Sequence, residues 1–291
     1  MKPAAFDYIP VESIEAALVA LDQAAGDAKI IAGGQSLVPM LNFRLLKPSV
    51  LVDINRIPDL AFVIEDGEHV RIGALTRHRQ LETSLLIANR MPVITEAMRH
   101  VAHLAIRNRG TVGGSLSHGD PAAELPMLAC LLDAELTIVS STGKRLVSAN
   151  HFFQGQLTVD LGENEMLTEI RIAKAPPMTG WSFAEVARRG GDFALAAVAV
   201  TLTVVDGVVG NARIALMGVG DRPQRVRDAE ALIAGHTMNM ALLNEVAELV
   251  RGDVEPETDL HASADYRRHL VGALIRRTLA EAWDRARSAA A

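Results

Sequence analysis

The chain is poor in cysteine, with only Cys130 among 291 residues. That excludes a disulfide framework, a cysteine-rich zinc site and an iron–sulfur cluster held by this polypeptide alone. An excess of positive charge is missing as well: 29 Lys and Arg face 35 Asp and Glu, for a formal net charge of −6. A protein that grips nucleic acid through its phosphates shows the opposite balance. Aromatic residues make up 4% of the chain, too few for base-stacking platforms. Long apolar runs are absent too. The longest, Phe193–Val205, contains Thr201 and Thr203 and is closed by Asp192 and Asp206, whereas a membrane-spanning helix needs about 20 apolar residues. The start, Met1-Lys2-Pro3-Ala4-Ala5-Phe6-Asp7, lacks the apolar centre of a secretory signal. The expectation is a soluble, cytoplasmic protein with no membrane span and no nucleic-acid partner, long enough for two or three packed subdomains.

What the sequence does contain is an alternation of short β-like and helical runs. A helical rhythm runs over Ile9–Ala25, and strands are expected at Lys29–Ala32 and Val50–Ile54. Asp66-Gly67 between Phe62-Val63-Ile64 and His69–Ile72 signals a hairpin. Helices are expected at His78–Asn89 and Val93–Leu104. Asp120-Pro121 reads as an N-cap with proline at the first helical position, leading a helix through Glu124, Leu125, Leu128 and Leu132. A second hairpin is expected around Ser141-Thr142-Gly143. Pro176-Pro177 marks a domain boundary, since neither residue continues a helix or a central strand. Beyond it, Phe193–Val205 and Val208–Val219 pair across Asp206-Gly207, and helices follow around Asp228–Ala234, Met240–Arg251 and Ala264–Ala286. The expected fold is α+β: an N-terminal region of residues 1–177 in two subdomains (about 1–55 and 56–177), then a small C-terminal domain, 178–291, of antiparallel sheet with helices.

Two glycine pairs stand out. In Ile30-Ile31-Ala32-Gly33-Gly34-Gln35-Ser36-Leu37 a strand ends in glycines, and a polar pair opens a helical turn. Glycine lets backbone N–H groups come close to an anion, and a helix start adds partial positive charge. Ser36 caps the turn or bonds a phosphate oxygen. No G-x-G-x-x-G spacing is present, which disfavours a Rossmann site. The second pair lies in Thr111-Val112-Gly113-Gly114-Ser115, with Ser117, His118, Asp120 and Pro121 following. Two glycine–hydroxyl segments in one α+β region suit a diphosphate gripped from both sides.

With both segments in view, the sequence resembles the FAD-binding medium subunit of molybdenum hydroxylases, the family of the carbon monoxide dehydrogenase flavoprotein and the xanthine dehydrogenase FAD domain. The resemblance runs through Ala32–Pro39 with Arg44-Leu45, then Leu51–Ile54, Gly73-Ala74 with Thr76, and Arg109–Gly114. It continues in Asp120–Pro126, Arg188-Arg189-x-Gly191-Asp192-Phe193-Ala194 and Tyr266-Arg267-Arg268. It implies a two-subdomain FAD-binding region of the PCMH type and a C-terminal flavoprotein domain. It also implies that Ala32, Gly33, Gly34, Gln35, Ser36 and Leu37, with Thr111, Val112, Gly113, Gly114 and Ser115, cradle the FAD diphosphate. Glu124 matches the family's acidic residue near the sugar and ribityl hydroxyls, with Asp120 as its neighbour. Thr158-x-x-Leu161 resembles the segment lining the isoalloxazine, and Gly191-Asp192-Phe193 the turn beside the ring. His118 contacts FAD or solvates the loop. Two departures lie where an acceptor would approach the flavin: Ala184 beside Glu185, where the xanthine dehydrogenase branch has lysine, and Phe193, where relatives often carry tyrosine or tryptophan.

The implied role is electron transfer. A large molybdopterin-binding subunit would oxidise the substrate, a small iron–sulfur subunit would relay electrons, and this chain's FAD would pass them to NAD, oxygen or a quinone. No catalytic side chain and no metal ligand is expected. His100 and His103 have no supporting carboxylate at ligand spacing. The basic run Arg99, His100, His103, Arg107, Arg109 either helps hold the diphosphate or is a solvated face. Asp53 reads as a buried carboxylate bonded to the glycine segment, and Cys130 as core. The alternatives are a self-sufficient FAD oxidase, for which the chain after Pro177 is a poor match to a cap domain, and a non-catalytic scaffold that kept the fold.

Overall fold

The structure is a computed structural model that describes residues 2–290, and side chains through residue 289. Three sheets organise it in chain order. The first is parallel: β1 (Asp7–Pro10) and β2 (Ala28–Ile31) both pair with a central β3 (Val50–Asp53). Its crossovers carry α1 (Ile14–Gln23) and the short α2 (Leu37–Asn42). The helix expected from Ile9 begins only at Ile14. Pro10 lies in β1, where it costs no ladder bond because the strand is at the edge. Ser13 then caps α1, its Oγ accepting from Ala16 N at 3.1 Å. Ala17, Leu18 and Leu21 bury this helix against Val52 and Ile54.

The second sheet is antiparallel, in the order β4-β5-β10-β6-β7. β4 (Val63–Asp66) and β5 (His69–Gly73) form the expected hairpin, with Gly67 at φ +54°. Between β5 and β6 the chain makes six short helices where three were expected: α3 (His78–Thr83), α4 (Leu85–Arg90), α5 (Pro92–Met98), α6 (Leu104–Arg107), α7 (Val112–His118) and α8 (Glu124–Leu131). The breaks have local causes. Ser84 caps α4, accepting from Ile87 N, Pro92 opens α5, and Ala102 at φ +41° turns the chain before α6. β6 (Glu135–Ser140) and β7 (Gly143–Ser148) form the second hairpin. Then come α9 (Ala149–Phe152), the small β8 (Phe153–Gly155) and β9 (Thr158–Val159) pair, and β10 (Met166–Ala173), which closes the sheet.

The third sheet is antiparallel, in the order β11 (Thr179–Ala187), β12 (Ala194–Val205), β13 (Val208–Met217) and β14 (Gln224–Arg225). The Asp206-Gly207 turn has both φ values positive, +51° and +76°, as a tight hairpin demands. α10 (Arg227–Ile233), α11 (Met240–Asp253) and α12 (Ala264–Ala290) follow. β12 is apolar on both faces because both are covered. Val198, Val200 and Leu202 meet Ile275 and Leu279 of α12 within one core, while Ala194, Ala197 and Ala199 join the core around α5 and α8. Arg267 fastens the third sheet to α12: its Nη1 donates to Leu195 O at 2.6 Å and Gly218 O at 3.0 Å. No described helix is long and apolar enough to cross a membrane.

Candidate functional site

The first glycine segment is the turn from β2 into α2. Gly34 sits at φ +70°, a conformation glycine adopts without Cβ strain. Gln35 Nε2 donates to Gly33 O at 2.8 Å and ties the turn to itself. Among the described residues, the backbone N–H groups of Gly33, Gly34, Gln35, Ser36 and Leu37 donate to no protein acceptor. Ser36 makes no side-chain cap bond, so of its two expected roles the capping one is not taken. The turn borders a cleft of about 440 Å³, shared with Tyr8, Asn55 and Arg109. A concave row of open amides at a helix start is a receptor for an anion. It fits the diphosphate of a dinucleotide.

The second segment is built differently from the expected loop. Thr111 is the N-cap of α7, and Gly113 and Gly114 lie inside its first turn. Their amides are already used: Gly113 N donates to Ala74 O at 2.8 Å and Gly114 N to Thr111 Oγ1 at 3.1 Å. Gly113 is glycine because α7 starts hard against the chain leaving β5; a Cβ there would lie 2.6 Å from Ala74 Cβ. What this segment turns outward is the bare, exposed Gly114 and the half-buried Ser115.

The two segments touch. A Cβ on Gly33 would come within 2.3 Å of Arg109 O and 3.0 Å of Gly110 Cα. Around this contact runs a network in which only Asp53 and Arg109 were candidates on sequence grounds. Asn55 Nδ2 donates to Ala32 O at 2.7 Å, and Arg77 Nη2 donates to Asn55 Oδ1 at 2.7 Å. Arg77 Nη1 donates to Arg109 O. Burial, with the Arg109 guanidinium nearby, pulls Arg77 below its ordinary value. Asp53 accepts from Tyr8 Oη and from Asn55 N and Nδ2, so it reaches the glycine turn only through Asn55. Burial raises its carboxyl, but the bonds from Tyr8 and Asn55 outweigh that and leave it below the usual aspartate range. His78 is buried, and its Nε2–H donates to Thr111 O at 3.0 Å. Burial holds this imidazole neutral, with its pKa lowered to about 4. The sequence signal for this network was slight: a polar residue two positions after β3 and an Arg-His pair at the start of a short helix.

The other expected residues lie farther along. α7 ends at His118, and Gly119, at φ +62°, packs on Val159 of the β8–β9 pair, two residues before Leu161. Asp120 does not cap α8; its Oδ1 accepts from Ala122 N at 2.8 Å and holds the preceding turn, so α8 starts at Glu124. Glu124 is half-buried, and burial pushes its carboxyl up to about 8. Asp192 and Phe193 are exposed, Phe193 by 69%, with Gly191 leaning on His103 and Ala102 O. Within the basic run, Arg107 is taken by Glu82, Val101 O and Ala102 O, Arg99 by Glu96 and His100 by Glu185. Arg109 alone of that run borders the cleft. Cys130 is core, 2% exposed, and burial pushes its thiol up to about 12. Among the described residues no group of three or more His, Cys, Asp or Glu has metal-binding geometry.

Open amides at the end of a parallel strand, backed by the start of a second glycine helix, define a dinucleotide-binding protein of mixed α and β structure. Comparison with known families makes this specific. Residues 4–175 match the FAD binding domain in molybdopterin dehydrogenase, and residues 181–282 match the CO dehydrogenase flavoprotein C-terminal domain. The chain is 41% identical to the 6-hydroxypseudooxynicotine dehydrogenase complex subunit alpha of Paenarthrobacter nicotinovorans, over 99% of this chain and 97% of that one. It superposes on carbon monoxide dehydrogenase from Hydrogenophaga pseudoflava with a TM-score of 0.96 at 37% identity, covering 98% of this chain and 99% of that one. Quinoline 2-oxidoreductase from Pseudomonas putida 86 gives 0.94 at 38% identity, covering 99% of each chain. The chain belongs to the family of FAD-carrying medium subunits of molybdenum-containing oxidoreductases.

Proposed function

We propose that this chain is the electron outlet of a three-component molybdenum hydroxylase. In this reading a large molybdopterin-binding subunit oxidises the organic substrate. A small iron–sulfur subunit relays electrons singly, and this chain delivers them to an external acceptor such as NAD, oxygen or a quinone. The observation that carries the reading is the run of five open amides in a turn that borders a cleft, on a chain whose residues 4–175 match an FAD-binding domain family. Bound FAD would supply the exchange between one-electron and two-electron transfer.

The protein's share is binding, orientation and access. The amides of Gly33–Leu37 would hold the diphosphate, with Gly114 and Ser115 on its other side. Arg77 and Asn55 keep the two segments at fixed separation. Glu124 and Asp120 follow toward the sugar and ribityl hydroxyls, and Leu161, Asp192 and Phe193 would flank the ring. The chain's single cysteine, Cys130, is buried. Affinity purification of the tagged chain from its native host tests the reading. The expected result is two co-purifying partners, one with molybdopterin and one with iron–sulfur clusters, and bleaching of the flavin absorbance on adding substrate to the complex but not to the isolated chain. A flavin-loaded single polypeptide that oxidises an organic substrate by itself would overturn it.

A further inference from the structure

A histidine and a glutamate meet across the seam between the FAD-binding domain and the third sheet. His100, two residues after α5, places Nδ1 3.3 Å from Glu185 Oε1 on β11, and its ring centroid lies 5.1 Å from that of Phe183 on the same strand. The Glu185 side chain is 6% exposed. Its neighbours along the sheet are apolar: it stands in register with Ala197 of β12, which stands in register with Met217 of β13. Both belong to the core around α5 and α8. Glu185 Oε1 has His100 as its partner, while Oε2 is buried with no hydrogen-bond partner. In so dry a setting the charge of one imidazolium acts on a carboxylate more strongly than it would in water.

This pair stands at the root of an exposed turn. Glu185 lies near the end of β11, and residues 188–193 then cross to β12 with Arg188, Arg189, Asp192 and Phe193 exposed. On the opposite side of the seam the chain runs from His100 through Ala102 to His103. Gly191 of the turn rests on that segment: a Cβ there would lie 2.7 Å from His103 Cε1 and 3.1 Å from Ala102 O. The turn thus lies against residues 102–103 and is fastened just behind by His100 and Glu185.

The other charges nearby are already matched or add to the pull of Glu185. On α5, Glu96 is paired with Arg99. α3 brings Glu82, held by Arg79 and Arg107, and the neutral, buried His78. α4 brings Arg90, held by Glu65. α8 brings Glu124, whose negative field also favours the imidazolium. β12 has no titratable side chain from Ala194 to Val205. α12 covers the other face of β11, where Glu281 takes Ser182 Oγ and Arg277 and Arg285 lies over Trp181. In the turn, Arg188 Nη1 donates to His261 Nδ1 at 2.9 Å. Among the described residues Glu185 makes no other ion pair.

We propose that His100 and Glu185 form a proton-held latch between the two domains: protonated His100 clamps the root of the 188–193 turn, and loss of the proton loosens the turn from residues 102–103. The neutral ring keeps a single, uncharged N–H donor, and charge-assisted hydrogen bonds are about twice as strong as neutral ones. The bond to Glu185, with the fields of Glu185, Glu96 and Glu124, raises the imidazole above its ordinary 6.5 against the opposing effect of burial. The latch is therefore fully closed below pH 6.5 and weakens as pH rises through the raised value. Neither residue lines the glycine cleft, so failure of the latch would leave the function reading intact.

Two measurements on the wild-type full chain test the latch between pH 5.5 and 8.5. NMR follows the His100 Cε1–H signal, assigned through its backbone. Hydrogen exchange follows residues 186–196, expressed as protection factors so that the intrinsic pH dependence of exchange drops out. The expected results are a His100 midpoint above 6.5 and a turn-opening constant that rises with pH. The total rise is tenfold for each pH unit by which the midpoint exceeds the ordinary value. Glu185→Gln should lower the midpoint and flatten the exchange profile. Neither wild-type measurement needs a variant, so poor folding of Glu185→Gln leaves the latch open to refutation. A wild-type midpoint at or below 6.5, a level exchange profile, or an unchanged midpoint in folded Glu185→Gln overturns it.

Discussion

Gly33→Ala adds one methyl group at the place where the two glycine segments meet. The new Cβ would lie 2.3 Å from Arg109 O, 2.9 Å from Arg109 C and 3.0 Å from Gly110 Cα. A carbon–oxygen contact relaxes at about 3.3 Å, so the segments must part by roughly 1 Å. Every atom in the way is backbone, so no side chain can swing aside. Overpacking of this kind costs about 1–3 kcal/mol. The shift also strains the Arg77 bond to the same carbonyl, and losing a charged hydrogen bond costs about 1.5–3 kcal/mol. If the cleft opens to relieve the strain, bound FAD must close it again, and about 3 kcal/mol of that work weakens binding roughly 100-fold. Gly67→Ala is the control. Nothing lies within 4 Å of its would-be Cβ, and its φ of +54° limits the penalty to local strain, about 1–2 kcal/mol. FAD titration and thermal melting are run on both variants. The expected outcome is weakened FAD binding in Gly33→Ala alone. Wild-type affinity and an unshifted melting midpoint in Gly33→Ala would show that the segments are not in contact in solution, and the reasoning would fail.

Two further substitutions probe the site. Arg77→Met removes both bridges between the segments while keeping much of the side-chain bulk, so melting should drop by about 2 kcal/mol and FAD retention with it; a variant that keeps full flavin occupancy would show the bridges to be incidental. Phe193→Ala should leave stability within about 0.5 kcal/mol, because the ring is mostly exposed, and should change the rate at which oxygen or NAD reoxidises the reduced flavin. An unchanged stopped-flow rate with a lowered melting point would return Phe193 to a packing role.

The hairpins and the last three helices were readable because their signals are local. Asp66-Gly67 and Asp206-Gly207 each force the chain back on itself within four residues, and periodicity over Met240–Arg251 has room to accumulate. The helical region between β5 and β6 was not readable in the same way. Its apolar spacing runs through Ser84, Met91 and Ala102, and only the caps and a left-handed residue show where one helix stops. Ile9 failed for a different reason: pairing with Val52 in the parallel sheet outweighs a helical rhythm that Pro10 could not sustain. At the site, the glycines announced themselves, but Asn55 and Arg77 did not. Their role exists only once β3 and β5 bring residues 22 apart in sequence into hydrogen-bond contact, and no spacing rule encodes that.

The two glycine pairs also differ in a way their similar sequences conceal. Among the described residues Gly33-Gly34 leaves its amides free, so in the proposed reading its glycines would serve the ligand as well as the contact with Arg109. Gly113-Gly114 spends its amides on Ala74 and Thr111, so Gly113 serves the packing of α7 against the chain leaving β5. A valine at Gly113 would therefore act first on the fold, by driving α7 off Ala74, and only then on FAD. A residue at Gly34 would meet only the tip of a side chain, Val38 Cγ2, at a tight 3.1 Å, and would have to hold a positive φ, so it would act through strain in the turn itself. Identical dipeptides thus fail by different physical routes. The order in which stability and flavin are lost across Gly33, Gly34 and Gly113 variants reads out which segment is receptor and which is its support.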